Sequence, residues 1–112
     1  MIRMAYKSAR SIPPGYVLPR HGAAVMRGGR LLAVGNNGKG CHAEVDALEK
    51  LPPAERYGCT VFSVRVARTE KNPGMAKPCP TCEAYMRKYG VKKVYYSTAT
   101  GEIEMLRLRK VA

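Results

Sequence analysis

The chain has 112 residues and a mass of 12.3 kDa, which allows one modest hydrophobic core, so we expect a single domain over residues 1–112. No apolar stretch approaches the roughly 18–20 residues that span a bilayer, and the N-terminus lacks the apolar segment of a signal peptide, which excludes a membrane protein and favours a cytoplasmic one. Twenty Lys and Arg against eight Asp and Glu give a formal net charge of +12, which favours a phosphate-bearing partner over a basic surface that serves only solubility.

Eight secondary-structure elements are predicted, in the order helix, strand, strand, helix, strand, helix, strand, strand. They cover residues 2–12, 22–27, 30–35, 42–51, 59–66, 79–89, 91–97 and 102–108. The clearest signals are Gly28-Gly29 between two apolar runs, which predicts a β-hairpin, and Pro52-Pro53, which ends the second helix. The order of elements predicts an α/β fold in which helices pack on the faces of a mixed sheet.

Two of the segments that connect the predicted elements also support predictions. Residues 67–78 form a long loop of the kind that shapes the mouth of a site. The link between Ser97 and Glu102 is too short to hold a helix, so the last two strands are expected to be antiparallel.

Two short motifs carry the residues that could perform chemistry, and each lies at the start of a predicted helix. His42 and Glu44 are two positions apart, and Cys79 and Cys82 are three positions apart. One imidazole and two thiolates that leave a fourth tetrahedral position open are the ligands of a catalytic zinc ion rather than a structural one. Glu44 is then the natural proton carrier beside a zinc-activated water.

The competing interpretation is a closed structural zinc site with Cys41 or Cys59 as the fourth ligand. Cys41 is adjacent to His42, and adjacent residues at a helix start diverge too far to share a small ion comfortably. Cys59 falls inside a predicted buried strand and is expected to fill space in the core. A closed site would also leave Glu44 without a role. The pairing of Cys-x-x-Cys with His-x-Glu favours metal binding over disulfide bonds.

Candidate substrate contacts surround the two motifs. The Asn36-Asn37 pair precedes the first motif and could bind a sugar or a base edge, or could serve only the turn. Basic residues flank the loop that delivers the cysteines and are the candidates for phosphate contacts. His21 could line the pocket, although an exposed or capped histidine is the more common case. The predicted substrate-binding residues are Asn36, Asn37, Ala43, Arg65, Arg68 and Lys77.

The His-x-Glu and Pro-Cys-x-x-Cys motifs form the signature of zinc deaminases. With them, the chain from about His21 to Ser97 resembles the cytidine/deoxycytidylate deaminase-like superfamily in its compact viral and phage versions. The resemblance implies an α-β-α sandwich with a mixed five-stranded sheet. It also implies a Zn²⁺ cofactor, Glu44 as proton shuttle, a substrate contact from Asn36 or Asn37, and a homo-oligomer. The implied zinc ligands are His42, Cys79 and Cys82.

The function that the resemblance implies is hydrolytic deamination of a cytosine-bearing nucleoside or nucleotide, of the cytidine or dCMP type, to the uracil form with release of ammonia. The short link between the last two strands resembles the nucleoside deaminase branch, whereas the charge of +12 favours a polymer. The alternative is therefore deamination of cytosine or adenine in single-stranded DNA or RNA. A third hypothesis, of another class, is a non-enzymatic zinc-stabilised module that binds nucleic acid.

Overall fold

The computed structural model describes residues 2–13, 20–38, 42–66 and 73–108. Over these residues the chain forms four helices and six strands around one mixed sheet. In chain order they are α1 Ile2–Arg10, β1 Arg20–Arg27, β2 Arg30–Asn36, α2 Ala43–Glu49, α3 Pro53–Arg56, β3 Thr60–Val66, β4 Pro73–Gly74, α4 Pro80–Lys88, β5 Lys93–Ser97 and β6 Ile103–Arg107.

Five of the strands form the body of the sheet, in the spatial order β2-β1-β3-β5-β6. Strand β1 is antiparallel to both β2 and β3, whereas β3 and β5 run parallel. Strands β5 and β6 are antiparallel, with Ser97 opposite Ile103. The predicted mixed five-stranded sheet and its antiparallel last pair are therefore confirmed.

Two connecting segments contain more structure than the sequence predicted. The second helix ends at Glu49, and the short helix α3 begins at Pro53, because proline lacks an N–H but fits the first turn of a new helix. The two-residue strand β4 pairs with the end of β3 inside a segment that was predicted to be loop. Its pairing depends on tertiary contact, which local sequence signals do not report.

The predicted hairpin between β1 and β2 is confirmed. Gly28 and Gly29 both adopt positive φ, at 57° and 79°, as the tight turn of a twisted hairpin requires. The turn and a register shift between Val25 and Met26 together place Ala23 opposite Gly35.

Helices cover both faces of the sheet, and two glycines allow them to approach closely. Helix α1 lies against Gly22, where an added Cβ would come within 2.0 Å of the Ala5 carbonyl oxygen. Helix α2 lies against Gly35 on β2, where an added Cβ would come within 2.5 Å of the Ala47 nitrogen and 2.6 Å of the Ala43 oxygen. Since Ala43 begins α2, the Gly35 contact sets how close the start of this helix lies to the sheet.

The larger of two hydrophobic clusters contains residues of α2, α4 and the sheet, and the smaller contains residues of α1 and the sheet. Fully buried members of the larger cluster are Ala47, Leu48, Val61, Met86 and Val94. Packing against this cluster thereby fixes α2 and α4, and with them their first turns, on the sheet. In the described part of the chain, no helix has the length and apolar character needed to cross a membrane.

Replacement of Gly35 by Ala is expected to lower the free energy of unfolding by about 1–3 kcal/mol, because the added methyl group overlaps the α2 backbone. Urea unfolding followed by circular dichroism measures the change.

The matched control is Gly28→Asn. This position has open space around it and a φ that asparagine tolerates, so the change should stay within about 0.5 kcal/mol. Equal stability of the Gly35→Ala and wild-type proteins would contradict the close approach of α2.

Candidate active site

The two motifs of the sequence meet where α2 and α4 begin. His42 is the N-cap residue of α2, and Cys79 is the N-cap residue of α4, followed by Pro80 in the first turn. Cys82 lies one turn further along α4 and is buried. The unpaired N–H groups of a helix start carry partial positive charge, which favours anionic ligands such as thiolates at this junction.

Three donor atoms, one from each of His42, Cys79 and Cys82, lie within 4.8 Å of one another. Cys82 Sγ lies 3.0 Å from His42 Nδ1. In a tetrahedral zinc site with bonds of about 2.0–2.3 Å, donor atoms lie roughly 3.5–3.8 Å apart. Displacements below about 1 Å would therefore centre an ion among these three atoms, and nitrogen with two sulfurs is a donor set that zinc prefers. The residues present fit a zinc ion.

The two cysteines of the cluster differ in their electrostatic surroundings. Cys79 is half-buried, and its pKa is lowered chiefly because its sulfur accepts a hydrogen bond from the Cys82 backbone N–H, at 3.5 Å. Burial raises the pKa of Cys82 to about 12, and the nearby Glu44 carboxylate adds to the effect. A cation among the donors would lower the pKa of Cys82, against the effects of burial and of Glu44, because the thiolate is the form that binds metal.

Glu44 lies in the first turn of α2 and is almost fully buried, with 1% of its surface exposed. Burial raises the pKa of its carboxyl to about 7, and the Arg65 guanidinium opposes this shift. Its Oε1 atom has no hydrogen-bond partner among the described residues. A buried carboxyl with an unsatisfied oxygen is costly in a structural position, so this arrangement points to a chemical role.

His21 lies in the same site. From the sequence, lining the pocket was the less common of the two expectations for this residue. The side chain is buried, with 4% of the residue exposed, and its Nε2 lies 2.5 Å from Ser63 Oγ and 3.4 Å from Glu44 Oε1. Burial, Arg65 and His42 lower the pKa of His21 to about 3, so the ring is neutral at physiological pH. The expectation of an exposed or capped histidine is wrong, because β1 turns this side chain toward α2.

The two candidate asparagines both make contacts within the protein. The Asn36 side-chain amide donates to Ser11 Oγ at 3.3 Å, and its Oδ1 accepts from Gly38 N–H at 3.0 Å. Asn37 Oδ1 accepts from the His21 backbone N–H at 2.9 Å. Asn36 therefore ties β2 to the end of α1, and Asn37 anchors the backbone of a site residue. A substrate contact from either one stays a prediction.

The other predicted substrate-binding residues differ from one another in how far their side chains are exposed. Arg65, at the end of β3, is half-buried and close enough to Glu44 and His21 to affect the pKa of both. Lys77 is exposed, two residues before Cys79. The Ala43 side chain is fully buried in the core, so only its backbone remains available. Arg68 lies outside the described residues.

Of the two cysteines considered for a closed site, Cys59 is fully buried with a free thiol, and it belongs to the hydrophobic core. Cys41 lies outside the described residues. The described cysteines, Cys59, Cys79 and Cys82, form no disulfide bond with one another. The cluster among the described residues that could hold a metal ion thus consists of the one histidine and two cysteines named from the sequence.

Residues 1–98 match the family described as the cytidine and deoxycytidylate deaminase zinc-binding region. The chain belongs to this family. Membership supports a hydrolytic enzyme that carries out cytidine-type deamination, and it agrees with the His42, Cys79 and Cys82 cluster as a place for zinc.

Two solved structures are similar to this chain. The dCMP deaminase of the cyanophage S-TIM5, in its apo form, is 25% identical with a TM-score of 0.61, over 87% of this chain and 79% of that one. Acinetobacter baumannii RibD, form 2, is 24% identical with a TM-score of 0.55; the match covers 87% of this chain but only 25% of RibD, and it shows the fold alone. Among curated protein sequences, none matches this chain.

The three-donor cluster predicts one zinc ion per chain. Replacement of Cys82 by Ser should remove this zinc, because a site with two remaining protein ligands holds zinc weakly. Atomic absorption after dialysis against a weak chelator measures the zinc content.

The matched control is Cys59→Ser, which alters a buried thiol outside the cluster and should retain the full equivalent. Full zinc retention by Cys82→Ser, or zinc loss in Cys59→Ser with the fold intact, would place the metal elsewhere.

Proposed function

We propose that the protein catalyses zinc-dependent hydrolytic deamination of a cytosine-bearing nucleoside or nucleotide, giving the uracil form and ammonia. One observation carries the proposal: a buried carboxyl with an unpartnered oxygen, Glu44, lies beside a cluster of one imidazole and two thiols. Zinc deaminases need this combination of a metal site and a proton carrier. Family membership supports the reaction class.

In this proposal His42 Nδ1, Cys79 Sγ and Cys82 Sγ hold the zinc ion. Bound there, zinc supplies a Lewis acid that lowers the pKa of water to about 7. The chain itself contributes three donor atoms, which leave a fourth coordination position for solvent.

Glu44 moves the proton. Its Oε1 can accept a proton from the attacking water and then pass it to the substrate. Overall, the water oxygen bonds to the amino-bearing ring carbon, one water proton goes to the ring nitrogen and the other to the amino group, the bond from the carbon to the amino nitrogen breaks, and that nitrogen leaves as ammonia. The closely packed α2 keeps the carboxyl out of bulk solvent throughout.

The proposed substrate carries a phosphate, which Arg65 and Lys77 receive. Arg65 places a guanidinium near Glu44, and its buried Nε has no hydrogen-bond partner among the described residues. A charged donor without a partner is suited to an anionic ligand. Arg68 stays a candidate from the sequence, as does assembly into a homo-oligomer.

The second candidate function is the same chemistry on single-stranded DNA or RNA. The net charge of +12 favours it, since a polymer would contact basic groups well beyond one phosphate. Because Arg65 already lies beside the site, one phosphate can be bound without those groups, and we therefore place the free nucleotide first.

Replacement of Glu44 by Gln is expected to lower the rate of ammonia release by roughly 10²–10⁴, because the amide cannot accept the proton. Zinc content and melting temperature should stay close to those of the wild type, since glutamine fills the same volume.

The control for this variant is Glu55→Gln, which alters an exposed carboxylate of α3. A Glu44→Gln enzyme that keeps more than about a tenth of its activity would remove Glu44 from the proton path, given the usual size of such effects.

Replacement of Arg65 by Gln should weaken the binding of a substrate that carries a phosphate more than the binding of one that does not. We expect KM for dCMP to rise by roughly 10-fold or more and KM for deoxycytidine to change little, because only dCMP loses a charged hydrogen bond. Steady-state ammonia release with the two substrates, and with a cytosine-containing oligonucleotide, provides the comparison.

Lys88→Gln, an exposed charge in the last turn of α4, controls for the loss of one positive charge. Equal effects of Arg65→Gln on dCMP and deoxycytidine would contradict the phosphate contact. Turnover of the oligonucleotide alone would favour the second candidate function.

A further inference from the structure

We propose that His21 is a positioning residue for Glu44, and that it acts as a neutral imidazole whose Nε2–H donates into the site. This inference rests on the proposed function, since Glu44 is the group that it positions. Three observations carry it: the anchoring of the His21 backbone, the hydrogen bonds of Ser63, and the unpartnered Glu44 oxygen.

The His21 backbone makes two hydrogen bonds with Asn37, one through its N–H and one through its carbonyl. The His21 N–H donates to Asn37 Oδ1 at 2.9 Å, and the His21 carbonyl accepts from Asn37 N–H at 3.2 Å. On the neighbouring strand Arg65 lies opposite His21, and Ser63 lies two residues before Arg65 on the same face. The ring is therefore fixed at the start of β1, in reach of both Ser63 and Glu44.

The hydrogen bonds of Ser63 decide which ring nitrogen of His21 carries the proton. Ser63 is fully buried, and its hydroxyl oxygen lies 3.3 Å from the Ala76 carbonyl oxygen, which can only accept a hydrogen bond. A hydroxyl that already donates can only accept from a second neighbour. With the Ser63 hydrogen given to Ala76, His21 Nε2, 2.5 Å from the same oxygen, is the donor, and on this ground we assign the Nε2–H tautomer.

The same Nε2–H faces Glu44. Oε1 lies 3.4 Å from Nε2, longer than a well-formed N–H···O bond, and no other group among the described residues pairs with that oxygen. The Nε2–H is thus bonded to Ser63, and the carboxyl lies beside it as a close polar contact rather than a hydrogen bond. Such a contact orients Oε1 while leaving it able to take a proton. A charged imidazolium would bind the carboxylate more tightly, but burial and Arg65 disfavour it.

Replacement of His21 by Leu should lower kcat by roughly 10- to 100-fold with little change in KM, because Glu44 loses a donor that the substrate does not touch. His21→Gln, which keeps an N–H donor at a similar distance along the side chain, should recover most of that loss. Zinc content should be unchanged in both variants. A fall in kcat that glutamine does not rescue, or an equal rise in KM, would overturn the positioning role.

Because a leucine in this place could unfold the chain, a second measurement uses the unmodified protein. In zinc-loaded protein with ¹⁵N-labelled histidine, long-range ¹H–¹⁵N correlation spectra report which ring nitrogen is protonated. We expect a protonated Nε2 and a bare Nδ1 for His21. The opposite tautomer, or a doubly protonated ring at pH 7, would overturn the assignment.

The two measurements separate this inference from the proposed function. The tautomer is read without any substrate, so a wrong choice of base or phosphate leaves that result standing. If instead the spectra assign Nε2–H while Glu44→Gln stays fully active, the proposed function fails and the tautomer assignment survives.

Discussion

The meeting of two helix starts above one sheet is the constraint on which the rest of the structure depends. His42 and Cys79 are the N-cap residues of α2 and α4, and both helices pack on the same hydrophobic cluster. Since Gly35 lets α2 lie directly on the sheet, the cap residues approach closely enough for their donor atoms to converge. Three residues that could hold a metal ion are thereby brought together from two segments 37 positions apart in sequence.

Burial and chemistry are coupled at Glu44. The packing that brings the cap residues together also places the carboxyl almost out of solvent, in the first turn of α2. A buried carboxyl normally requires partners for both oxygens, yet Oε1 has only the distant His21 among the described residues. The fold thus retains an energetically costly group, as expected where a proton must be exchanged.

The hairpin and the two helix starts were predictable because they depend on local signals, whereas the convergence of His42 with the two cysteines rested on the zinc deaminase signature. Gly28-Gly29 favours a tight turn, and Pro80 favours the first turn of a helix. The place of His21 depends on which residues of β3 lie opposite β1, and nothing near His21 in sequence reveals this. Likewise, Asn36 and Asn37 have the composition of a turn, and only tertiary contact shows that one ties β2 to α1 and the other holds His21.

Zinc-edge X-ray absorption of the metal-loaded protein tests most directly the central claim that the metal keeps an open position for solvent. The predicted spectrum has two sulfur neighbours at about 2.3 Å and two nitrogen or oxygen neighbours at about 2.0–2.1 Å. One of the light neighbours should be displaced by an added anion. A shell with three sulfurs, or one unaffected by any added ligand, would mean a closed structural site and would contradict hydrolytic catalysis at this cluster.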